Sequence, residues 1–131
     1  MQYTHALRSR PDYAEAHYNL ATVLLGARRL DEAQEHFTTA LRLHPEYAEA
    51  HNNLGFLLFE QGRSAAAIAE YRQALQVKPD YPEAHTNLGV ALAAEGNTAE
   101  AIAHFETALR LKPDHAEARQ QLDRLRAQSG S

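Results

Sequence analysis

The stretch Glu49-Ala-His-Asn-Asn-Leu-Gly55 decides the fold, because it recurs along the chain at a fixed spacing. A close copy, EAHTNLG, begins at Glu83 and another, EAHYNLA, begins at Glu15, so successive copies lie 34 residues apart. Residues 45–78 and 79–112 are identical at 17 of 34 positions without a gap. Four prolines keep the same period: Pro11, Pro45, Pro79 and Pro113. A period of this length indicates a stack of structural repeats.

The period divides the chain into three full repeats with a partial copy at each end. The full repeats are 11–44, 45–78 and 79–112, while residues 1–10 match the end of a repeat and 113–131 match its start. Each repeat contains two apolar stripes with the i, i+3, i+4, i+7 spacing of a helix, separated by a short break, and a proline ends the second stripe. This pattern predicts antiparallel helix pairs stacked in a row. The predicted helices lie near 3–9, 13–27, 30–43, 47–61, 64–77, 81–95, 98–111 and 115–128.

The composition argues against several classes of protein. A chain of 131 residues with a net charge of −4 suits one soluble domain, and it has no Cys for disulfides. It has no basic block, so we expect no nucleic-acid partner. Its longest apolar runs, such as residues 55–59, are far shorter than the roughly 20 residues that span a bilayer, so we expect no membrane insertion. We slightly favour the cytoplasm, although the absence of Cys leaves the redox compartment undecided.

The order of large and small residues within each repeat resembles the tetratricopeptide repeat family, whose pattern is W-x2-L-G-x2-Y, then A-x3-F, then P. The second repeat reads His51, Leu54, Gly55, Leu58, Ala67, Tyr71 and Pro79 at these positions. The third reads His85, Leu88, Gly89, Leu92, Ala101, Phe105 and Pro113, and the first reads His17, Leu20, Ala21, Leu24, Ala33, Phe37 and Pro45. The resemblance covers nearly the whole chain. It implies an all-α, right-handed superhelical solenoid forming a single domain over residues 1–131, with 113–131 as a C-terminal capping helix.

The resemblance also implies that the first helix of each repeat lines a concave groove that binds an extended segment of a partner protein. The face next to the buried stripe of these helices carries the candidate groove residues. They are Tyr18, Asn19, Glu49, Asn52, Asn53, Phe56, Phe59, Glu83, Asn87, Val90 and Gln121. Its glutamates suit the first turn of a helix, where acids favour the macrodipole, but they could instead bias the groove toward basic peptides.

The asparagine column of this face has two possible explanations. Asn is a middling helix former, so Asn19, Asn53 and Asn87 in the middle of helices need a reason. Each amide could grip the backbone of an extended peptide. Asparagine ladders of this kind occur in the tetratricopeptide superhelices of O-linked N-acetylglucosamine transferases, whose EAH-x-NL style this sequence resembles. Alternatively, each amide bonds a neighbouring turn and stabilises the stacking of the repeats.

The histidines of the repeated stretch are predicted to pack. His17, His51 and His85 fall on the buried stripe, where we expect locally bonded ring nitrogens. Metal ligands approach one ion to about 2 Å, whereas stacked repeats hold equivalent residues roughly 10 Å apart, so we predict no metal and no cofactor. The other histidines are expected to be scattered over surfaces and junctions. These are His5, His36, His44, His104 and His115.

The sequence contains no phosphate-binding glycine loop, metalloprotease motif or nucleophile elbow. We therefore expect a non-catalytic module that binds a protein or peptide partner in its groove. One alternative is a self-assembling scaffold and possible homo-oligomer, because Tyr3, Ala6 and Leu7 of the N-terminal partial repeat lack a preceding helix. Another is the substrate-docking segment of a larger enzyme, such as a glycosyltransferase.

Overall fold

The computed structural model describes residues 10–130, and in this range the chain forms seven α-helices and no strand. The helices are α1 Arg10–Gly26, α2 Leu30–Leu43, α3 Ala48–Glu60, α4 Ser64–Val77, α5 Pro82–Ala94, α6 Thr98–Leu111 and α7 Ala116–Gly130. The helix predicted at 3–9 lies outside the described residues. Helix α1 begins three residues earlier than predicted, at Arg10, since proline is tolerated in a first turn.

The helices form consecutive antiparallel pairs, α1 with α2, α3 with α4 and α5 with α6, and α7 packs against α6. This arrangement confirms the prediction of an all-α helical-repeat solenoid. The first helices of successive repeats contact each other, α1 with α3, α3 with α5 and α5 with α7. Within residues 10–130, no second helix contacts the next second helix. The stack therefore curves with its first helices on the inner, concave side.

Each pair is centred on a fully buried aromatic ring of its second helix. Phe37, Tyr71 and Phe105 are at most 1% exposed. The facing residue of the first helix is small: Ala21, Gly55 and Gly89, respectively. A Cβ atom on either of these two glycines would lie 2.6 Å from the ring opposite, closer than real Cβ contacts allow. The small residue of the repeat pattern therefore makes room for the aromatic ring.

The break between the two helices of a pair requires a left-handed residue. Gly62 and Gly96 have φ angles of +78° and +87° at this position, as their place after a helix predicts. The equivalent residue of the first repeat is Arg28, which takes φ +64° without being glycine. Its guanidinium forms an exposed ion pair with Glu60 of α3 at 3.1 Å. The turn is the same in all three repeats, and only its chemistry differs.

One position of the predicted buried stripe is corrected. Leu20 is 45% exposed, and Val23, one turn further along α1, is 68% exposed. The equivalent residues of α3, Leu54 and Leu57, are 7% and 0% exposed. Helix α3 has a described repeat before it and contacts its second helix, α2, whereas no described repeat precedes α1. The described chain therefore presents an apolar strip on α1 where the internal repeats have a neighbour.

Candidate functional site

Three of the four predicted asparagines, Asn52, Asn53 and Asn87, take part in a hydrogen-bonded line across the concave face. The Asn53 amide donates to the Tyr18 hydroxyl over 3.0 Å, and the Asn87 amide donates to Oδ1 of Asn52 over 3.0 Å. Asn52 lies next to Asn53, and their side chains are joined by a longer contact of 3.4 Å. We call Tyr18, Asn52, Asn53 and Asn87 the polar ladder. It links α1, α3 and α5, so these asparagines bond between repeats.

The polar ladder leaves part of its hydrogen-bonding capacity unused. A primary amide has two N–H donors and one acceptor, and the inter-repeat bonds take one donor each from Asn53 and Asn87. Both side chains are half-buried, whereas Asn52 is 6% exposed and is held between neighbours. Asn19 is exposed and bonds no described residue of another repeat. The concave face thus combines internal bonding with donors that a partner can reach.

The polar ladder ends at the junction between the third repeat and α7. Thr86 stands where the second repeat has Asn52, and Gln121 stands where the third has Asn87. Gln121 accepts a hydrogen bond from Arg124 of its own helix. Among the described residues, the buried Thr86 Oγ1 and His115 Nε2 are without a hydrogen-bond partner. The candidate residue Gln121 therefore lies beside the groove without extending the ladder.

Two further tyrosines, Tyr47 and Tyr81, contact members of the polar ladder. The Tyr47 ring lies 4.9 Å from the Tyr18 ring, centroid to centroid. Burial raises the pKa of Tyr47 to about 12. Burial also raises the pKa of Tyr81, although a hydrogen bond from Asn52 acts in the opposite direction. Both hydroxyl groups therefore stay uncharged near neutral pH.

A cavity of about 350 Å³, lined by both apolar and polar side chains, lies beyond the polar ladder, at the C-terminal end of the groove. It brings together the predicted residues Phe59 of α3 and Val90 of α5. Its other lining residues are Ala93, Ala94, Thr98, Arg124, Leu125 and Gln128. Of α7, only Gln121 was predicted from the sequence, and Arg124, Leu125 and Gln128 were missed. Two of these could have been found by adding one period of 34 to Val90 and Ala94, which gives Arg124 and Gln128.

The remaining candidate residues lie apart from this cavity. Phe56 is 39% exposed and does not line it. The carboxylate of Glu49 lies 3.6 Å from the Lys78 ammonium, and that of Glu83 lies 3.9 Å from Lys112. These ion pairs are exposed and contribute little to stability. The two lysines do balance the negative charges of Glu49 and Glu83.

A larger depression of about 480 Å³ runs along the outer surface. All its lining residues belong to α2 or its first turn, including Asp31, Glu35 and Arg42. A single helix does not enclose a ligand, because binding sites are concave and draw on several elements. We therefore regard the concave groove as the candidate site.

The histidines of the repeated stretch are bonded locally, as predicted. His51 Nδ1 lies 2.8 Å from Glu70 Oε1, His17 Nδ1 lies 2.9 Å from His36 Nδ1, and His85 Nδ1 lies 3.0 Å from His104 Nδ1. The expectation that His36 and His104 are scattered over surfaces and junctions was wrong. Both occupy the same position of a second helix, 19 residues after the histidine they contact. A search for pairs at a spacing of 19 would have found them.

The comparisons with known proteins agree with the repeat. A family model described as Tetratricopeptide repeat matches residues 2–33, 18–82 and 57–116. The chain therefore belongs to the tetratricopeptide repeat family, whose fold is generally that of an interaction module. No curated protein sequence matches it significantly. Among the described helices, none is long and apolar enough to cross a bilayer.

Several solved structures share the fold. The first tetratricopeptide domain of Spaghetti (RPAP3), bound to the HSP90 peptide SRMEEVD, has a TM-score of 0.87 at 22% identity, covering 90% of this chain and 94% of its own. YrrB, described as a TPR protein with an unusual peptide-binding site, has a TM-score of 0.76 at 25% identity, covering 82% of this chain and 56% of its own. The Thermobaculum terrenum O-GlcNAc transferase has a TM-score of 0.85 at 26% identity, covering 89% of this chain and 22% of its own. A role as a docking segment of such an enzyme stays a prediction.

Proposed function

We propose that this chain is a non-catalytic interaction module whose concave groove binds an extended segment of a partner protein. The observation that carries the proposal is the cavity beyond the polar ladder, which combines apolar and polar side chains and to which α3, α5 and α7 all contribute. The similar RPAP3 domain is bound to a peptide and YrrB is described as having a peptide-binding site, which supports the same kind of partner.

The polar and apolar parts of the groove would divide the recognition of such a segment. The second N–H of Asn53 and Asn87 can donate to carbonyl oxygens of a peptide backbone, which carries no sequence information. The cavity can take one apolar side chain, and Phe59 and Val90 supply its apolar walls. Exposed Arg124 adds a positive charge beside these walls. We therefore expect a segment that places an apolar residue next to an acidic one.

Filling the cavity should abolish the binding of such peptides. The probe is a library of random linear peptides, selected on the immobilised wild-type chain. Ala93 lines the cavity, so Ala93→Leu places three further carbon atoms inside it. We expect the affinity of selected peptides to fall at least tenfold, which corresponds to about 1.4 kcal/mol. Isothermal titration calorimetry measures the change.

The matched control is Ala69→Leu, the same change at an exposed residue of α4, a second helix away from the groove. It should leave the affinity within about twofold of the wild type. Equal losses in the two variants, or peptides that bind both variants as well as the wild type, would count against the groove. Amide chemical-shift changes that cluster on the second helices would do the same.

A second candidate function is self-association through the apolar strip of α1. The strip contains Leu20 and Val23, which are 45% and 68% exposed, together with Tyr13 at 39%. Exposed apolar surfaces of this kind mark interaction sites in many soluble proteins. The equivalent strips of α3, α5 and α7 are covered by a helix of the preceding repeat. A second copy of the chain could cover the strip of α1 instead.

Replacing Val23 with Lys tests this second function. If the strip holds two copies together, the wild type should sediment as a dimer at high concentration, and Val23→Lys should shift it to the monomer. The melting temperature should stay within a few degrees, because Val23 is exposed in the single chain. Sedimentation velocity over a hundredfold range of concentration measures the shift. A wild type that remains monomeric throughout excludes the scaffold function.

A further inference from the structure

The three repeats place the same histidine opposite different partners. In the third repeat His85 Nδ1 of α5 lies 3.0 Å from His104 Nδ1 of α6, and the two rings are stacked at 5.2 Å. The first repeat has the same arrangement between α1 and α2. In the middle repeat, His51 of α3 meets the carboxylate of Glu70 on α4 at 2.8 Å. Each contact joins the two helices of one hairpin.

The acceptors around His85 determine how many hydrogens fit into its contact with His104. His85 Nε2 lies 2.9 Å from the Pro79 carbonyl oxygen, so this nitrogen carries a hydrogen and donates it. Nδ1 of neutral His85 is then an acceptor, and His104 Nδ1 donates to it. One added proton still leaves a single hydrogen between the two Nδ1 atoms, since the cationic ring donates to the neutral one, but a second would place two N–H donors against each other over 3.0 Å. The contact therefore holds one hydrogen, and fully protonated rings must separate.

The middle hairpin has the opposite requirement. His51 Nε2 donates to the Pro45 carbonyl oxygen over 2.9 Å, in the same way as His85 does to Pro79. Its Nδ1 faces a carboxylate, so this contact needs a proton between nitrogen and oxygen. An imidazolium paired with a carboxylate satisfies it best. Acid therefore strengthens the contact of the middle hairpin by favouring the imidazolium form of His51.

The neighbouring charges do not remove this contrast. Glu100 Oε2 lies 3.7 Å from His104 Nε2, but the same carboxylate oxygen lies 3.0 Å from the Arg72 guanidinium of α4. Burial and the neighbouring His85 lower the pKa of His104. Burial, His36 and Arg42 of α2 lower the pKa of His17, whose ring also meets the edge of Tyr13. Burial acts against protonation of His51, but its hydrogen bonds to Glu70 and the Pro45 carbonyl raise its pKa.

We propose that the two histidine pairs are an acid-sensitive release, which loosens the first and third hairpins while the middle hairpin stays closed. The pH dependence has a definite sign. A group with a lowered pKa in the folded state binds its proton more tightly after unfolding, so stability falls as the pH drops below the ordinary histidine value of about 6.5. His51 acts the other way, since its contribution is complete in acid and is lost as the pH rises through its raised pKa.

The test compares urea unfolding of the full chain and its variants from pH 7.5 to 5. Below about pH 6.5 each histidine pair should raise the unfolding constant by up to about tenfold per pH unit. His104→Glu gives the third hairpin the histidine–carboxylate contact of the middle one, so it should remove the pH dependence that the His85–His104 pair contributes. Glu70→His gives the middle hairpin a histidine pair, so it should add a pH dependence of the same size. Unfolding constants that depend on pH identically in the wild type and both variants would overturn the proposal.

A second measurement needs no variant. Amide hydrogen exchange of the wild type, corrected for the intrinsic effect of pH, should show opening of α6 in preference to α4 as the pH falls from 7 to 5.5. His104→Gln, whose side chain cannot take up a proton, should suppress the preferential opening of α6. Equal acceleration in α4 and α6, or none in either, would show that the histidine pairs do not release their hairpins.

Discussion

Replacing Gly89 with Leu is expected to lower the free energy of unfolding by about 3 kcal/mol or more. The first added atom, Cβ, would lie 2.6 Å from Cε1 of Phe105, and the leucine brings three further carbons. Phe105 is completely buried and cannot swing aside. The helices α5 and α6 must therefore move apart, and overpacking of this kind typically costs about 1–3 kcal/mol, occasionally more. A domain with a stability of about 5–15 kcal/mol will lose a large share of it.

The chain supplies a control for the size of the new side chain. Gly26 also lies in a helix, but a Cβ added there meets nothing within 4 Å. Gly26→Leu should therefore change stability by less than about 1 kcal/mol, with the better helix propensity of leucine acting in its favour. Gly55→Leu should behave like Gly89→Leu, because Tyr71 lies at the same 2.6 Å. Urea unfolding separates the cases, and a Gly89→Leu chain as stable as Gly26→Leu would mean that α5 and α6 are not packed closely.

The sequence predicts the helices of this protein well, because their ends depend on local signals. Proline ends each second helix, and the turn within a hairpin needs a left-handed residue, which Gly62 and Gly96 supply. The opposition of Gly55 to Tyr71 also follows from the repeat pattern, since a small residue and a large one occupy facing positions. These features involve near neighbours or one hairpin at a time.

The contacts between repeats were harder to predict. Periodicity assigns Asn52 and Asn53 to adjacent faces of a helix, but it does not say that Asn52 bonds Asn87 while Asn53 bonds Tyr18. Those bonds join residues 35 apart and depend on how far each repeat is displaced from the last. Leu20 was misjudged for a related reason, because α1 is the first described helix and no described repeat precedes it.

The junction between the third repeat and α7 is a second place where the sequence does not predict the contacts between repeats. The buried Thr86 Oγ1 and His115 Nε2 are unpartnered among the described residues, although their counterparts Asn52 and Tyr81 bond each other. The sequence shows that Thr86 replaces an asparagine, yet it does not show that the replacement leaves a buried oxygen unpaired. An unsatisfied buried group costs about 1–3 kcal/mol. The final junction is therefore expected to be the least stable part of the solenoid.

The role of the asparagine column can be tested with two variants, because Asn53 and Asn87 form bonds between repeats and Asn19 does not. Changing Asn19, Asn53 and Asn87 together to Ala should lower the affinity for a selected peptide by one to three decades. Each amide–backbone bond contributes about 0.5–1.5 kcal/mol, so three contribute about 1.5–4.5 kcal/mol. Calorimetric titration of a peptide obtained by selection on the wild type measures the loss. Stability should also fall by about 1–3 kcal/mol, because Asn53 and Asn87 lose their bonds to Tyr18 and Asn52.

The single variant Asn19→Ala separates binding from packing. Asn19 is exposed and takes no part in the inter-repeat bonds of the described chain, and alanine is the better helix former. Its removal should therefore leave the melting temperature unchanged or slightly higher, while the affinity for the peptide falls about twofold to tenfold. The opposite pattern would be an unchanged affinity per folded molecule in both the single and the triple variant, with stability lost only in the triple. That result would show that the asparagines hold the repeats together and that the peptide is bound by the cavity beside Phe59 and Val90 alone.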